Sequence, residues 1–176
     1  VNWPVAEQIG SMALREAEGA VIALKSGFNF FEFETGKATP IINPESNEDC
    51  TRFNDGKVDR QGRFLAGSMD MPGFNESRGS LYRLDADLSV SKLRENIGVS
   101  NGPCFSPDGS IFYFADSPRQ MIWAYDYDVV TGEVSNMRTF VDLKPLNAFP
   151  DGATLDSDGS LWSALVTQGQ IGCFSP

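Results

Sequence analysis

The sequence predicts an all-β chain folded as a β-propeller, with about four blades present. Three observations carry this prediction. A phrase recurs at intervals of ~40–50 residues, the length of a four-stranded blade. Each copy joins a Gly/Asp turn to apolar runs of strand length. Helical patterning is nearly absent: residues 91–96 ("SKLREN") permit a helix but are too short to sustain one alone.

The copies read, in chain order, "REAEGAVIALKSGFNFFEFETGKATPI", "DRQGRFLAGSMD" with "GSLYRLDADLSVSKL", "SPDGSIFYFADSPRQMIWAYDYDVVTGEVSNMRTF" and "DSDGSLWSALVTQGQIGCFSP". A polar turn ending in glycine precedes an apolar strand with alanine near its end. A second strand with an aromatic follows. The anchors Gly19, Gly62, Gly109 and Gly159 stand 43, 47 and 50 residues apart. Runs such as "RFLAGSM" and "SIFYFAD" are apolar almost throughout, as in strands buried on both faces. "DADLS" and "VTGEV" read as hairpin turns. "SPDGS" and "DSDGS" read as turns with Asp108 and Asp158 in solvent. A blade cannot bury its faces without neighbours. The chain opens inside a blade, at "VNWPVAEQIGSMALRE", and ends after "GQIGCFSP", where another strand is expected. Residues 1–176 are therefore read as one partial propeller domain, the middle of a larger ring.

Composition narrows the chemistry. Twenty-four acidic and 14 basic residues give a formal charge of −10. That argues against nucleic acid, whose phosphates need a surface of clustered Lys and Arg, and against anionic membranes. No apolar run approaches the ~20 residues of a membrane span. Cys50, Cys104 and Cys173 are odd in number and widely spaced, so neither a disulfide framework nor a zinc ribbon is expected. Reduced thiols and a cytoplasmic setting follow as expectations. There is no histidine. Ser-His-Asp and Cys-His catalysis and His-ligated metals are thereby removed. Chemistry must come from carboxylates, amides, Arg or Lys, hydroxyls, or an oxygen-held metal.

Three segments place a polar residue just before glycine at a blade entrance: "RFNDG", "SNG" and "FPDG". In a propeller such strand starts converge on one end of the central channel. Asn54, Asn101 and Asp151 are then brought face to face, and glycine lets the backbone approach closely. Each segment taken singly is also a good turn sequence. The loop "SMDMPGFNESRGSLY" offers Asp70, Glu76 and Arg78, which are read as solvated. Lys57 is read as pairing with a neighbouring acid, and Asp55 as a turn residue or a support behind Asn54. Calcium-loop spacing of the EF-hand kind is absent.

"RFNDGKVDRQGRFLAGSMD", "SNGPCFSPDGSIFYFADSPRQMIWAYDYDVVTGEVSN" and "FPDGATLDSDGSLWSALVTQGQI" together resemble the SMP-30/gluconolactonase/regucalcin family across essentially the whole chain. The resemblance implies a six-bladed propeller that hydrolyses sugar lactones with one divalent cation (Ca, Zn, Mn or Mg) in its channel. It assigns Asn101 and Asp151 to the metal, Asp151 also to catalysis, and Arg52 and Asn54 to the substrate. Whether Asp151 or a water activated by the cation is the base stays open. The family's third ligand, a Glu in an "EGP"-type motif, is expected upstream of residue 1. "REAEG" is only superficially similar, and the role is not carried onto Glu18. The alternative within the resemblance is a calcium-binding regulatory protein without turnover.

Overall fold

The computed structural model describes residues 1–71 and 76–176. Among the described residues, fifteen strands form four antiparallel sheets, each built in chain order. Blade 1 holds β1 (Ile9–Leu14), β2 (Ala20–Leu24), β3 (Gly27–Phe31) and β4 (Ala38–Ile42). Blade 2 holds β5 (Thr51–Val58), β6 (Phe64–Asp70), β7 (Gly79–Leu84) and β8 (Val90–Ile97). Blade 3 holds β9 (Ser100–Phe105), β10 (Ile111–Asp116), β11 (Met121–Tyr127) and β12 (Val134–Asp142). Blade 4 holds β13 (Pro150–Leu155), β14 (Leu161–Leu165) and β15 (Gln170–Phe174). The first strands pack side by side, β1 on β5, β5 on β9 and β9 on β13. They are the inner strands of a propeller with four blades present.

The alternation of a strand explains the uninterrupted apolar runs. In β6, Phe64 and Ala66 face blade 1 and join Phe28 and Phe53 in one core. Leu65, between them, faces blade 3 and meets Phe112, Phe114 and Trp123. In β10, Phe112 and Phe114 turn to blade 2, whereas Tyr113 and Ala115 turn to Leu161 and Leu165 of blade 4. Each blade boundary is thus a separate apolar layer, and the second strands of blades 2 and 3 are buried from both sides, whereas β14 of blade 4 exposes Trp162 on its outer face. On the far side of blade 1, Ile22, Leu24 and Phe31 are covered in part by Val5 and Phe33. Trp3 lies 5.1 Å from the Phe33 ring and donates Nε1–H to its carbonyl at 2.7 Å.

The repeat glycines all take positive φ, at 93° for Gly19, 84° for Gly62, 82° for Gly109 and 84° for Gly159. Each sits in the turn between the first and second strands of its blade. Residues 91–96, which permit a helix by composition, lie within strand β8. Pairing with β7 overrides local preference there. The three cysteines are unpaired, and burial pushes the Cys104 thiol up to about 12. Among the described residues no helix is long and apolar enough to cross a membrane.

Candidate functional site

The polar–glycine entrances seen in the sequence are β-bulges. In β5, Phe53 pairs with Ser68 and Gly56 with Ala66, so Asn54 and Asp55 together oppose one residue. In β9, Asn101 pairs with Ala115 and Cys104 with Tyr113, leaving Gly102 and Pro103 against one residue. In β13, Pro150 pairs with Leu165 and Ala153 with Ser163, leaving Asp151 and Gly152. A bulge bends its strand and re-aims a side chain. Three neighbouring inner strands therefore turn a polar group the same way at the same level. Gly102 has φ 57°, and a Cβ there would lie 2.8 Å from the Asp151 carbonyl. Only glycine lets β9 approach β13 this closely.

The bulges open onto one cavity of about 610 Å³, lined by Arg52, Asn54, Asn101 and Asp151 on its polar side. Met69, Val99, Pro118, Phe149 and Val166 supply an apolar wall. The polar residues form a chain of contacts. Arg52 Nη1 donates to the Phe53 carbonyl at 2.9 Å and to Asn54 Oδ1 at 3.2 Å. Asn54 Nδ2 donates to the Ser100 carbonyl at 2.8 Å and to Asn101 Oδ1 at 3.0 Å. Asn101 Nδ2 donates to Ser117 Oγ at 2.8 Å, and Ser117 Oγ donates to the Pro150 carbonyl at 2.6 Å.

These bonds decide how the Asn101 amide faces. A carbonyl only accepts, so the single Ser117 proton lies toward Pro150 and its lone pairs face Asn101 Nδ2. Asn101 Oδ1 then stands 3.1 Å from Asp151 Oδ1. The reverse orientation would gain N–H contacts to the Ser100 carbonyl at 3.2 Å and to Asp151 Oδ1 at 3.1 Å, but it would set an Asn101 N–H against the Asn54 amide nitrogen at 3.0 Å and give Ser117 two acceptors for one proton. Two oxygens, one from a carboxylate, thus meet with no hydrogen between them. Such a pair suits a cation, and all-oxygen donors suit a hard one. The residues present fit an oxygen-held divalent ion at Asn101 Oδ1 and Asp151. They do not enclose it: among the described residues, no three carboxylate or thiol side chains converge there.

Asp55 lies behind this pair. Its carboxylate accepts the Gly56 amide at 2.8 Å and the Gly102 amide at 3.0 Å, tying the β5 bulge to the backbone just after Asn101. Burial raises its pKa above the ordinary range, the two amides oppose the rise, and the charge of Asp151 adds to it. Burial lowers the pKa of Arg52, but a guanidinium stays charged.

The four residues singled out from the sequence therefore share one cavity, although both Asn54 N–H groups are committed to blade 3. Glu18 lies elsewhere, lining a separate hollow with Arg15, Glu32 and Glu34. Asp70 corrects the expectation of solvation. It is 2% exposed, meets Arg78 Nη1 at 3.2 Å and accepts the Glu76 amide at 3.2 Å. Glu76 and Arg78 are exposed, and residues 72–75 of the same loop lie outside the described residues. Lys57 is exposed and has no acidic partner among the described ion pairs. Asp108 and Asp158 sit in exposed turns. The Ser106 hydroxyl and the Ser110 amide and hydroxyl hold Asp108 near the bottom of the carboxylate range, at about 2.

Sequence reasoning missed Ser117 and the apolar wall. Ser117 follows the second strand of blade 3, and its amide bonds the Val99 carbonyl. The amides of Met71 and Val166 bond Cys50 and Phe149 in the same way in blades 2 and 4. The matching positions are apolar there, so the repeat carried no signal for a hydroxyl.

Comparisons with known proteins agree on one relationship. A family profile described as "SMP-30/Gluconolactonase/LRE-like region" matches residues 1–176. The chain is 39% identical over 167 residues to the regucalcin of Xenopus laevis, covering 93% of this chain and 56% of that protein. It superposes on a calcium-binding protein, regucalcin, from Agrobacterium tumefaciens with a TM-score of 0.90 and 27% identity, over 97% of this chain and 58% of that one. A luciferin-regenerating enzyme superposes with a TM-score of 0.88 and 31% identity, over 98% and 60% of the two chains. The chain spans a little over half the length of the curated relatives it matches.

Proposed function

We propose, for a chain that belongs along its whole length to the SMP-30/Gluconolactonase/LRE-like family, that the cavity at β5, β9 and β13 hydrolyses a sugar lactone with the help of one divalent cation. One observation carries the reading. Asn101 Oδ1 and Asp151 Oδ1 face each other at 3.1 Å inside a cavity that also holds the Arg52 guanidinium. The family description, which includes gluconolactonase, supports the choice of lactone.

A divalent cation bound by Asn101 and Asp151 would polarise the lactone carbonyl and acidify a neighbouring water. The chain's own residues supply the rest. Asp151 Oδ1 already accepts the Gly152 amide at 2.9 Å, which leaves Oδ2 to take a proton from the attacking water. The water oxygen bonds to the carbonyl carbon, the ring C–O bond breaks, and that proton returns to the departing hydroxyl. Asp151 as both ligand and base is a compromise, since a cation beside a carboxylate weakens it as a base. Arg52 uses only Nη1 in the bonds described, so its remaining N–H groups are available to ring hydroxyls or to developing negative charge. Asn54 holds Arg52 and Asn101 in register and offers a substrate only Oδ1.

A pH-drop assay with aldonolactones, with Ca, Mg, Mn or Zn and with chelator, tests the reading. Acid release should require the cation, and Asp151→Asn should lower it at least ~10²-fold. Normal turnover by that variant would sink the assignment. The second reading, a calcium-binding regulatory protein, draws on the printed description of the Agrobacterium relative. It predicts cation binding with no acid release from any lactone.

A further inference from the structure

We infer that Ser117 is a positioning residue for the cation site: its hydroxyl decides which face of Asn101 is turned to Asp151. The inference rests on the cation-dependent reading of the cavity and adds to it a group outside the ligand set.

Ser117 stands on a rigid post. It is 8% exposed. Its own amide donates to the Val99 carbonyl at 3.1 Å, two residues before Asn101. Its hydroxyl bonds Pro150, the residue before Asp151. The preceding Asp116 is fully buried and accepts the Gly98 and Val99 amides at 3.0 and 3.1 Å. Ser117 Oγ therefore sits at a fixed point between the strands that carry the two oxygens. From that point it can only accept from Asn101, because its proton is spent on Pro150.

Removing the acceptor changes what Asn101 prefers. Its Nδ2 would be left buried without a partner, a state proteins avoid. Rotating the amide by half a turn relieves this by laying the NH₂ group on Asp151 Oδ1 and the Ser100 carbonyl, at 3.1 and 3.2 Å, at the cost of the bond from Asn54, whose N–H keeps its Ser100 partner. The rotated arrangement satisfies Asp151 with an N–H and turns Asn101 Oδ1 away, so both oxygens are withdrawn from a cation. Ser117 thus acts by excluding a self-bonded, cation-rejecting state. Blades 2 and 4 complete the same backbone bond with Met71 and Val166, so blade architecture does not need the hydroxyl. It occurs in the blade that carries Asn101.

The test measures Mn²⁺ affinity by electron paramagnetic resonance of the free aquo ion. Ser117→Ala should bind Mn²⁺ about 10–100-fold more weakly than the wild type, the usual loss when a group orienting a ligand is removed. Ser117→Thr, which keeps the hydroxyl, should stay within ~3-fold. Asn101→Asp replaces the amide by a group with no N–H to turn. In that background Ser117→Ala should cost less than ~3-fold, whereas a role in packing alone would cost the same in both. If Ser117→Ala does not fold, Ser117→Cys replaces it, being nearly isosteric and a poor acceptor. Wild-type affinity in the Ala or Cys variant, or equal losses in both backgrounds, overturns the inference. A wild-type protein that binds no Mn²⁺ overturns the cation reading itself, which no result with Ser117 can do.

Discussion

Strand β5 carries a polar cluster at each end, and the two clusters are built from the same residue types to opposite effect. At one end Arg52 and Asn54 face Asn101 and Asp151. Just past the other end stand Asp59 and Arg63, with Tyr127 from blade 3. In this second cluster every group meets its complement. Asp59 Oδ1 accepts the Gln61 and Arg63 amides at 2.9 and 2.8 Å, and Oδ2 accepts Arg63 Nε at 2.6 Å and the Tyr127 hydroxyl at 2.7 Å. Arg63 spends Nη1 and Nη2 on the Val130 and Val129 carbonyls at 3.0 and 2.8 Å. The cluster is closed, buried and clamps blade 2 to blade 3. The first cluster closes on one side only and leaves two oxygens facing each other in a cavity. Density of polar groups does not distinguish a site from a staple; an uncompensated donor set does.

The largest test of this contrast removes the staple. Side-chain exposure is 1% for Asp59 and 9% for Arg63, so Asp59→Ala leaves a buried guanidinium without its counter-charge. Breaking one side of such a pair costs about 3–5 kcal/mol, read as a fall in the urea midpoint at unchanged slope. Cation affinity at Asn101 and Asp151 should be unaltered. A loss below ~1 kcal/mol would show that the cluster behaves as an exposed pair and would erase the contrast.

A smaller effect isolates one bond. Tyr127→Phe keeps the ring, which lies under the Arg63 guanidinium at 5.7 Å, and deletes only the hydroxyl bonded to Asp59. A hydrogen bond to a charged group contributes ~1.5–3 kcal/mol, and the three remaining bonds to Asp59 place the cost at the lower end. Equilibrium unfolding of the variant should show about 1.5 kcal/mol. No change would mean that the hydroxyl is solvated rather than part of the clamp.

Much of this was legible from residues alone, for reasons the structure makes physical. The repeat was visible because each turn needs a positive-φ glycine, at Gly19, Gly62, Gly109 and Gly159, and because β6 and β10, buried on both faces, carry almost unbroken apolar runs. The polar–glycine entrances were visible because a bulge needs such residues, although bulge and turn look alike in sequence. What escaped reading depends on contacts between blades. The Ser117 hydroxyl gains meaning only beside Asn101 and Pro150. Asp70 looks like a loop residue until Arg78 is seen against it. Asp55 supports the site through the Gly102 amide of another blade. Residues 91–96 are strand because β7 lies beside them.

The smallest effect is one of pH, and its sign should reverse between the two ends. Burial opposes ionisation of Asp59, but the Tyr127 hydroxyl, the Arg63 guanidinium and the Arg63 amide outweigh it and hold its pKa below the ordinary value of 3.8. That stability is present above about pH 4 and is lost as pH falls through the lowered value. Asp116, buried beside Ser117, is shifted the other way. Burial raises its pKa, against the Gly98 and Val99 amides and the charges of Arg119 and Arg94. Its contribution is complete below the unfolded value near 4 and is lost as pH rises through the raised one. The stability advantage of wild type over Asp59→Asn should therefore shrink on acidification below about pH 4. The advantage over Asp116→Asn should shrink as pH rises from about 4. Each displacement by one pH unit of pKa corresponds to about 1.4 kcal/mol. Urea titrations of the three proteins from acid to neutral pH would show the two slopes, and slopes of the same sign would mean that the two buried aspartates are held by the same forces after all.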